Sequence, residues 1–554
     1  IEMRNRITPH AKIPPIIGRF VTKADALPYT ATPINIKATT CKKKYERGKR
    51  RLIKKSRSDL RERDGQRGER AAQRNRVCGV STHDVEDVEC RQRIFRAPTL
   101  SLAATGSHIG WTSPILPVLK STDSHVPITS DDASWIASFY LLGTIPGCIV
   151  AALIVDRLGR KISLLLGGVP LTLSYILIIA AWNPYILYAA RIIGGIGQGI
   201  AYVICPMYIG EIADKEIRGT LGSFIKLMVT FGELYAHAIG PFVSYWLLGY
   251  SCLVIPLIFF LSFPWMPESP YYLLMKNRPR NAMMSLKRLK RCISDDQLET
   301  DLEQMQKIVV RDLSDRGRFR DLFDTPGNRR AVIISIGLQL VLQFSGIAAI
   351  ESYTQEILEE GDAHLPASSS VILLSVLQLI AGLGAVVLVD KLGRRPLLIT
   401  TSLLAGVALT ITSVFYLVKF QFGVDTTGYG WLLHCSVIFY ELIIALGLNP
   451  LPYMMLGELF PTNVKGAAVS LANLVSSLLA FIVSKMYQVI SDSLGVYAAF
   501  GWFAISCYVG VFFIMLIVPE TKGKSLLEIQ EELNCKKKKK KSAKGEQIQI
   551  STIS

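Results

Sequence analysis

Three glutamines and a tyrosine set in otherwise apolar stretches are the residues of this chain best suited to hold a ligand. Gln339 and Gln343 are four apart and would share one face of a helix, with Ser345-Gly346 just beyond, where a helix can break. Gln378 sits in the middle of the next apolar stretch. Asn449-Pro450-Leu451-Pro452-Tyr453 would kink a later one and present Tyr453. Amides donate and accept, and an aromatic ring offers a flat apolar platform. The set therefore suits a ligand rich in hydroxyls better than formal charges would. Amides that merely link helices are the plainer alternative for Gln343 and Gln378.

Charged residues fall into two groups. Lys226, Glu233 and His237 are spaced i, i+7 and i+11 and share a helix face, which reads as an internal ion pair in preference to a proton-linked stripe. The others cluster at short turns: Asp156, Arg157, Gly159, Arg160 and Lys161 in one, Asp390, Lys391, Gly393, Arg394 and Arg395 in the other. Glycine permits a tight reversal there, and the carboxylates can pair with the basic residues. Enzyme chemistry is not supported. Gly523-Lys524-Ser525 ends like a phosphate loop, but Val518 stands where its leading glycine belongs. With no metal-spaced histidine cluster, no nucleophile elbow and no CxxC pair among ten cysteines, neither a metal nor a cofactor is expected.

The elements that must position these residues are membrane helices. Half of the 554 residues are apolar, and twelve apolar spans follow one another: 98–119, 132–155, 162–182, 185–209, 220–245, 248–266, 331–357, 367–389, 397–418, 430–456, 466–489 and 495–518. Each is long enough to cross a hydrocarbon core about 30 Å thick. The first is the poorest, broken by Pro114 and Pro117. The net charge of +18 does not point to nucleic acid, because it is concentrated outside the spans, much of it before Ala97. Basic residues recur in alternate loops, Lys120 being the main exception, which puts both termini on the cytoplasmic side. The polar stretch between the sixth and seventh spans carries helical patterning in Arg280–Arg291 and Asp296–Val310.

The expected organisation is a basic disordered arm over 1–96, a six-helix bundle over 97–266, a cytoplasmic helical linker over 267–330, a second bundle over 331–518 and a cytoplasmic tail over 519–554. A start at Ile1 suits a fragment or a misassigned leader. The tail opens with Ser525 and Glu528 as a capping box and continues into Lys536–Lys541, which could touch anionic lipid. The halves repeat internally. Glu211 followed by Arg218 matches Glu458 followed by Lys465, and Glu268 after the sixth span matches Glu520 after the twelfth. With the two glycine turns these make three matched pairs in one order, which imply two homologous bundles related by an axis along the membrane normal. Breakable inter-helix ion pairs among these residues would hold the inner mouth shut when the outer one is open.

The two turns, Ile193-Gly194-Gly195 leading through Tyr208 and Glu211 to Arg218, Pro267-Glu268-Ser269-Pro270, Gln343-Phe344-Ser345-Gly346-Ile347 and Pro519-Glu520-Thr521-Lys522-Gly523 together resemble the sugar-porter family of the major facilitator superfamily over roughly 98–530. Within it, Gly110-Trp111-Thr112-Ser113-Pro114 and the run from Ser345 to Gln355, which includes Tyr353, resemble the insect facilitated trehalose transporters. The resemblance implies an all-α fold of two pseudo-symmetric six-helix bundles at the plasma membrane. It implies a uniporter moving a hexose or disaccharide by alternating access, with a proton symporter and a non-transporting sugar receptor as the other readings. It also implies that Gln339, Gln343, Gln378 and Tyr453 contact sugar, with Ser345, Tyr353 and Asn449 beside them. The chain departs from the family at Ala348, where asparagine is common, at Lys226, where glutamine is usual, and at Ser476 and Ser477. No carboxylate lies inside the first span, which favours facilitated diffusion over proton coupling.

Overall fold

A computed structural model describes residues 97–534 except 122, 213–217, 291–294, 315–318, 362–365 and 525–527. The basic arm, Ser525 of the capping pair and Lys536–Lys541 lie outside the described residues, as do the side chains of Arg218 and Asp390. The described chain is helical, and ten of its helices are long and apolar enough to cross a membrane. Together with the first helix and the fifth they supply the twelve crossings.

Helix α1 runs over 97–120 and is interrupted at Trp111. Helices α2 to α6 are Ser130–Leu158, Arg160–Ile179, Pro184–Ile212, Arg218–Ile239 and Tyr245–Ser262. In the second half, α7 comprises Pro326–Phe344 and Ile347–Glu359, α8 is Ala367–Leu392 and α9 is Arg394–Tyr416. Helix α10 comprises Gly430–Ile443 and Pro450–Leu459, α11 is Thr462–Leu494 and α12 is Val496–Ile517. The linker holds helices Pro270–Met275, Pro279–Leu289 and Asp295–Ser314, close to the patterned stretches, sealed by Leu274, Ala282 and Val309.

Apolar side chains cover both faces of the spans, so close approach in lipid depends on small residues. Helices α2 and α4 meet through Gly143 and Gly147 against Gly195 and Gly199, where an added Cβ would strike the facing backbone. Helix α1 meets α5 in the same way through Gly106 and Gly110 against Gly232, which brings the backbone of Glu233 up to α1. The breaks expected in α7 and α10 are present. Gly346 adopts φ 88° between the two parts of α7. In α10 a π-turn, Ile444–Leu448, precedes Asn449 and Pro450, which begins a new helix. Proline lacks the N–H that a continuing helix would need, so the direction changes there.

The charged turns are single-residue hinges. Gly159 (φ 96°, ψ 169°) ends α2 and begins α3, and Gly393 (φ 92°, ψ 166°) does the same between α8 and α9. These angles lie in a region open essentially only to glycine, and a Cβ on Gly159 would also press into the carboxylate of Glu268. Replacing Gly159 by alanine is therefore expected to lower stability by ~1–3 kcal/mol, seen as a reduced melting temperature in detergent. The Gly210→Ala change adds a Cβ with no neighbour within 4 Å and should leave melting near the parent value.

Candidate functional site

Both charged turns are braced in the same way. In the first half Glu268 accepts the backbone N–H groups of Arg160 at 3.0 Å, Lys161 at 3.1 Å and Ser269 at 2.8 Å. The Arg160 guanidinium meets Glu211 at 2.9 Å and Asp156 at 3.3 Å, and Ser269 donates its hydroxyl to Glu211. In the second half Glu520 accepts from Arg394 at 3.1 Å, Arg395 at 2.9 Å and Lys522 at 2.8 Å, while Arg394 pairs with Glu458 at 3.0 Å. Thr521 donates to Glu458 as Ser269 does to Glu211. A carboxylate thus sits on the N-terminus of α3 and of α9, where unpaired N–H groups and the helix dipole favour negative charge.

The remaining turn residues play lesser parts. Arg157 is exposed and its carbonyl accepts the hydroxyl of Tyr272, and Lys465 reaches the carbonyl of Gly457 at 3.3 Å. All these bonds lie within one half or the other. In this arrangement the turn residues brace each bundle internally. Among the described residues, the ion pairs that join the halves lie at the opposite face. There Lys120 of α1 meets Glu356 of α7 at 2.6 Å, and Lys485 of α11 meets Asp131 of α2 at 2.5 Å while lying 4.1 Å from the Trp135 ring centre. Ser113 of α1 accepts the backbone N–H of Gln355 at 3.1 Å. Lys120, the exception in the sequence's charge pattern, is thus a tie across the halves.

Between these two faces the ligand candidates converge from several helices. Gln343 donates to Ser476 of α11 at 2.9 Å, and the Tyr453 hydroxyl meets the same Ser476 at 3.1 Å. The Gln343 carbonyl oxygen and both amide atoms of Gln339 are buried without a partner. Gln378 donates to Glu441 of α10 at 2.8 Å. Tyr453 is 40% exposed, with its hydroxyl held at Ser476 of α11. Ser345 is occupied otherwise: its hydroxyl bonds to the Leu342 carbonyl at 2.6 Å and meets Tyr440, steadying the break in α7. Tyr353 is buried with a free hydroxyl beside Tyr487, nearer the joined face, and Asn449 closes the π-turn of α10 by its backbone.

The three residues share one face of α5 as their spacing suggests, and the structure turns His237 toward the other half. Lys226 lies 4.0 Å from Glu233, and His237 bonds to Ser375 of α8 at 2.7 Å. Two further ionisable residues, Glu351 of α7 and Glu441 of α10, lie within the spans, Glu441 being 1% exposed. Both were overlooked in the sequence although an ionisable residue inside a span marks a functional position. Arg191 was overlooked too. It is fully buried in α4 and takes the carbonyls of Ile136 at 3.0 Å and His108 at 2.8 Å and the Thr112 hydroxyl at 2.8 Å, with its guanidinium 4.2 Å from the Tyr140 ring centre. It thereby ties the broken α1 to α2 and α4.

Comparison with known proteins places this geometry. The family model described as sugar (and other) transporter matches residues 95–533. The facilitated trehalose transporter Tret1 of Bombyx mori is 32% identical over 431 residues, which is 77% of this chain and 84% of that protein. A facilitated trehalose transporter Tret1-2 homolog of Drosophila sechellia is 31% identical over 446 residues, covering 80% of this chain and 91% of its own. Among solved structures, the proton:xylose symporter XylE bound to 6-bromo-6-deoxy-D-glucose superposes with a TM-score of 0.66 at 21% identity, over 81% of this chain and 100% of that one. The inward open xylose transporter XylE of E. coli gives the same score at 22% identity, over 79% and 99%. At these identities the structures establish the fold alone.

Two consequences can be measured. Burial pushes the Glu520 carboxyl up, but the N–H groups of Lys522, Arg394, Arg395 and Thr521 outweigh it and hold its pKa below the ordinary glutamate range. A lowered native pKa stabilises above the unfolded value, about 4.3, and that contribution fades as pH falls through the native value. Glu520→Gln should therefore melt earlier than the parent near pH 7, by about 1 kcal/mol, and the gap should close in acid. For the ties across the halves, each worth about 0.2–1 kcal/mol, Lys485→Glu should widen the distance between spin labels at positions 123 and 369. Adding Asp131→Lys should restore it.

Proposed function

The chain belongs to the sugar (and other) transporter family, and from that premise we propose that it carries a hexose or a disaccharide such as glucose or trehalose across a membrane by facilitated alternating access. The observation that carries this reading is the Gln343–Ser476–Tyr453 chain. It joins α7, α10 and α11 of the second half and leaves the Gln343 carbonyl and the whole Gln339 amide free for a polyol. Unmet buried amides cost about 1–3 kcal/mol each, so a ligand hydroxyl that satisfies them binds with corresponding gain. The protein is a multi-pass integral membrane protein and a transporter, not an enzyme.

Transport needs two states of similar free energy. The described ion pairs between the halves are few, partly exposed and confined to one face, which is the kind of closure that thermal motion can open. Each half is braced separately by Glu268 or Glu520, so the halves can rock as units. Basic residues of the turns support a cytoplasmic position for the turn-bearing face and both termini, with the joined face outside. The plasma membrane is the expected location, and the charge of Lys536–Lys541 supports contact with anionic lipid. The substrate gradient alone drives net movement.

Reconstituted protein should exchange labelled glucose or trehalose across the vesicle wall, and Gln343→Ala should cut the rate by about tenfold or more with unchanged incorporation. Rates should not respond to an uncoupler at clamped voltage. Binding without equilibration of the lumen would mean a receptor, and collapse with the uncoupler would mean a proton symporter.

A further inference from the structure

Close packing explains Gly106, Gly143 and Gly195, but it does not explain Gly382 in the middle of α8. Its φ is not positive, and a Cβ built on it would meet no atom within 4 Å. A glycine inside a helix lowers stability, so the empty space must serve some other end. Leu373, Val376, Ile380 and Leu383 are exposed and mark the lipid side of α8. Ser375, Gln378 and Gly382 follow one another at steps of three and four and lie on the opposite side. That side faces the first half, because Ser375 meets His237 of α5 at 2.7 Å. Seven residues further toward the glycine turn, at Gly382, nothing fills the gap, so the halves have parted there.

A separate observation marks the closed end of this space. The Ser375 hydroxyl donates to the Val371 carbonyl at 3.0 Å, so its single hydrogen is used and His237 Nδ1 must donate to it. In the neutral ring Nε2 is then a bare acceptor, and that atom is buried without a partner on a residue 7% exposed. One turn further in on α5, the Glu233 oxygen that lies 4.0 Å from Lys226 takes no hydrogen bond either. On α8 the Gln378 amide nitrogen is used on Glu441 at 2.8 Å, which turns the carbonyl end of that amide the other way. Acceptors thus border the space, and a hydroxyl is the neutral group that answers them without bringing charge into the span. Resting on the transport reading above, we propose that this space between α5 and α8 seats the second ring of a disaccharide. His237 Nε2 accepts from one of its hydroxyls, and the missing side chain of Gly382 provides the clearance, which makes Gly382 the position that limits substrate size.

The test is counterflow in vesicles holding the full chain, with labelled glucose and labelled trehalose measured side by side. Gly382→Leu should lower the ratio of trehalose to glucose flux by about tenfold, the discrimination that a change of this size in a binding site supports. His237→Phe keeps a ring and removes the acceptor, and should move the ratio in the same direction. Gly384→Leu adds the same bulk at an exposed position of α8, where the nearest atom is 3.9 Å away, and should leave the ratio at the parent value. An unchanged ratio in an incorporated Gly382→Leu protein overturns the inference and leaves sugar transport standing. So does a parent protein that carries glucose and excludes trehalose. If Gly382→Leu does not incorporate, Gly382→Cys decides: trehalose should slow its labelling by a water-soluble thiol reagent more than glucose does, and equal protection overturns the seat. If neither sugar exchanges in the parent, the transport reading fails instead. The labelling comparison needs binding alone and then still decides the seat by the same two outcomes.

Discussion

A carboxylate placed on the first turn of a membrane helix is the interaction on which this architecture rests. Glu268 and Glu520 each gather backbone N–H groups from the start of the third helix of their half and from the residues just after their own position. Those N–H groups have no intrahelical partner, and near lipid they cannot rely on water, so leaving them bare would be expensive. The carboxylate satisfies them, complements the helix dipole, and fixes the sixth or twelfth helix to the second turn of its bundle. Arginine then extends the brace to Glu211 or Glu458. Each bundle is thereby made stiff at the end that carries its glycine turn.

Stiff halves concentrate motion at the seam between them. Contact across the seam is of a different kind: small polar bonds such as His237 with Ser375 at mid-depth, and lysine–carboxylate pairs at the joined face. Strong, buried, multi-dentate bonding is spent inside the halves, and weak, partly hydrated bonding lies between them. That division suits a conformational equilibrium with two accessible ends. The breaks in α7 and α10 add local freedom in the helices that carry the ligand residues. Gly346 and the π-turn before Asn449 let the two parts of each helix take separate directions.

Ionisable residues inside the spans set this chain apart from the simplest polyol binder. Lys226 and Glu233 lie 4.0 Å apart on α5, and the buried Glu441 of α10 takes the amide of Gln378 on α8. Arg191 shows a contrasting solution for a buried cation. It is held by two carbonyls, a hydroxyl and two aromatic faces, so its charge is spread over neutral acceptors and serves to join three helices.

Spacing along the chain determined much of this protein by itself. Span length, the two glycine turns, the order of Glu211, Glu268, Glu458 and Glu520, and the breaks at Gly346 and Asn449-Pro450 are local properties, because helix length, φ above zero and a missing N–H act on neighbouring residues. Tertiary structure alone decided which charges meet. Arg160 finds Glu211, Lys485 finds Asp131 and Gln378 finds Glu441 because packing brings distant helices within a few ångströms. It also decided that Ser345 is used up in steadying its own helix, while Gln339 and Gln343 keep free atoms. A sequence displays donors and acceptors one at a time, and only the fold determines which are already satisfied and which are left for a ligand.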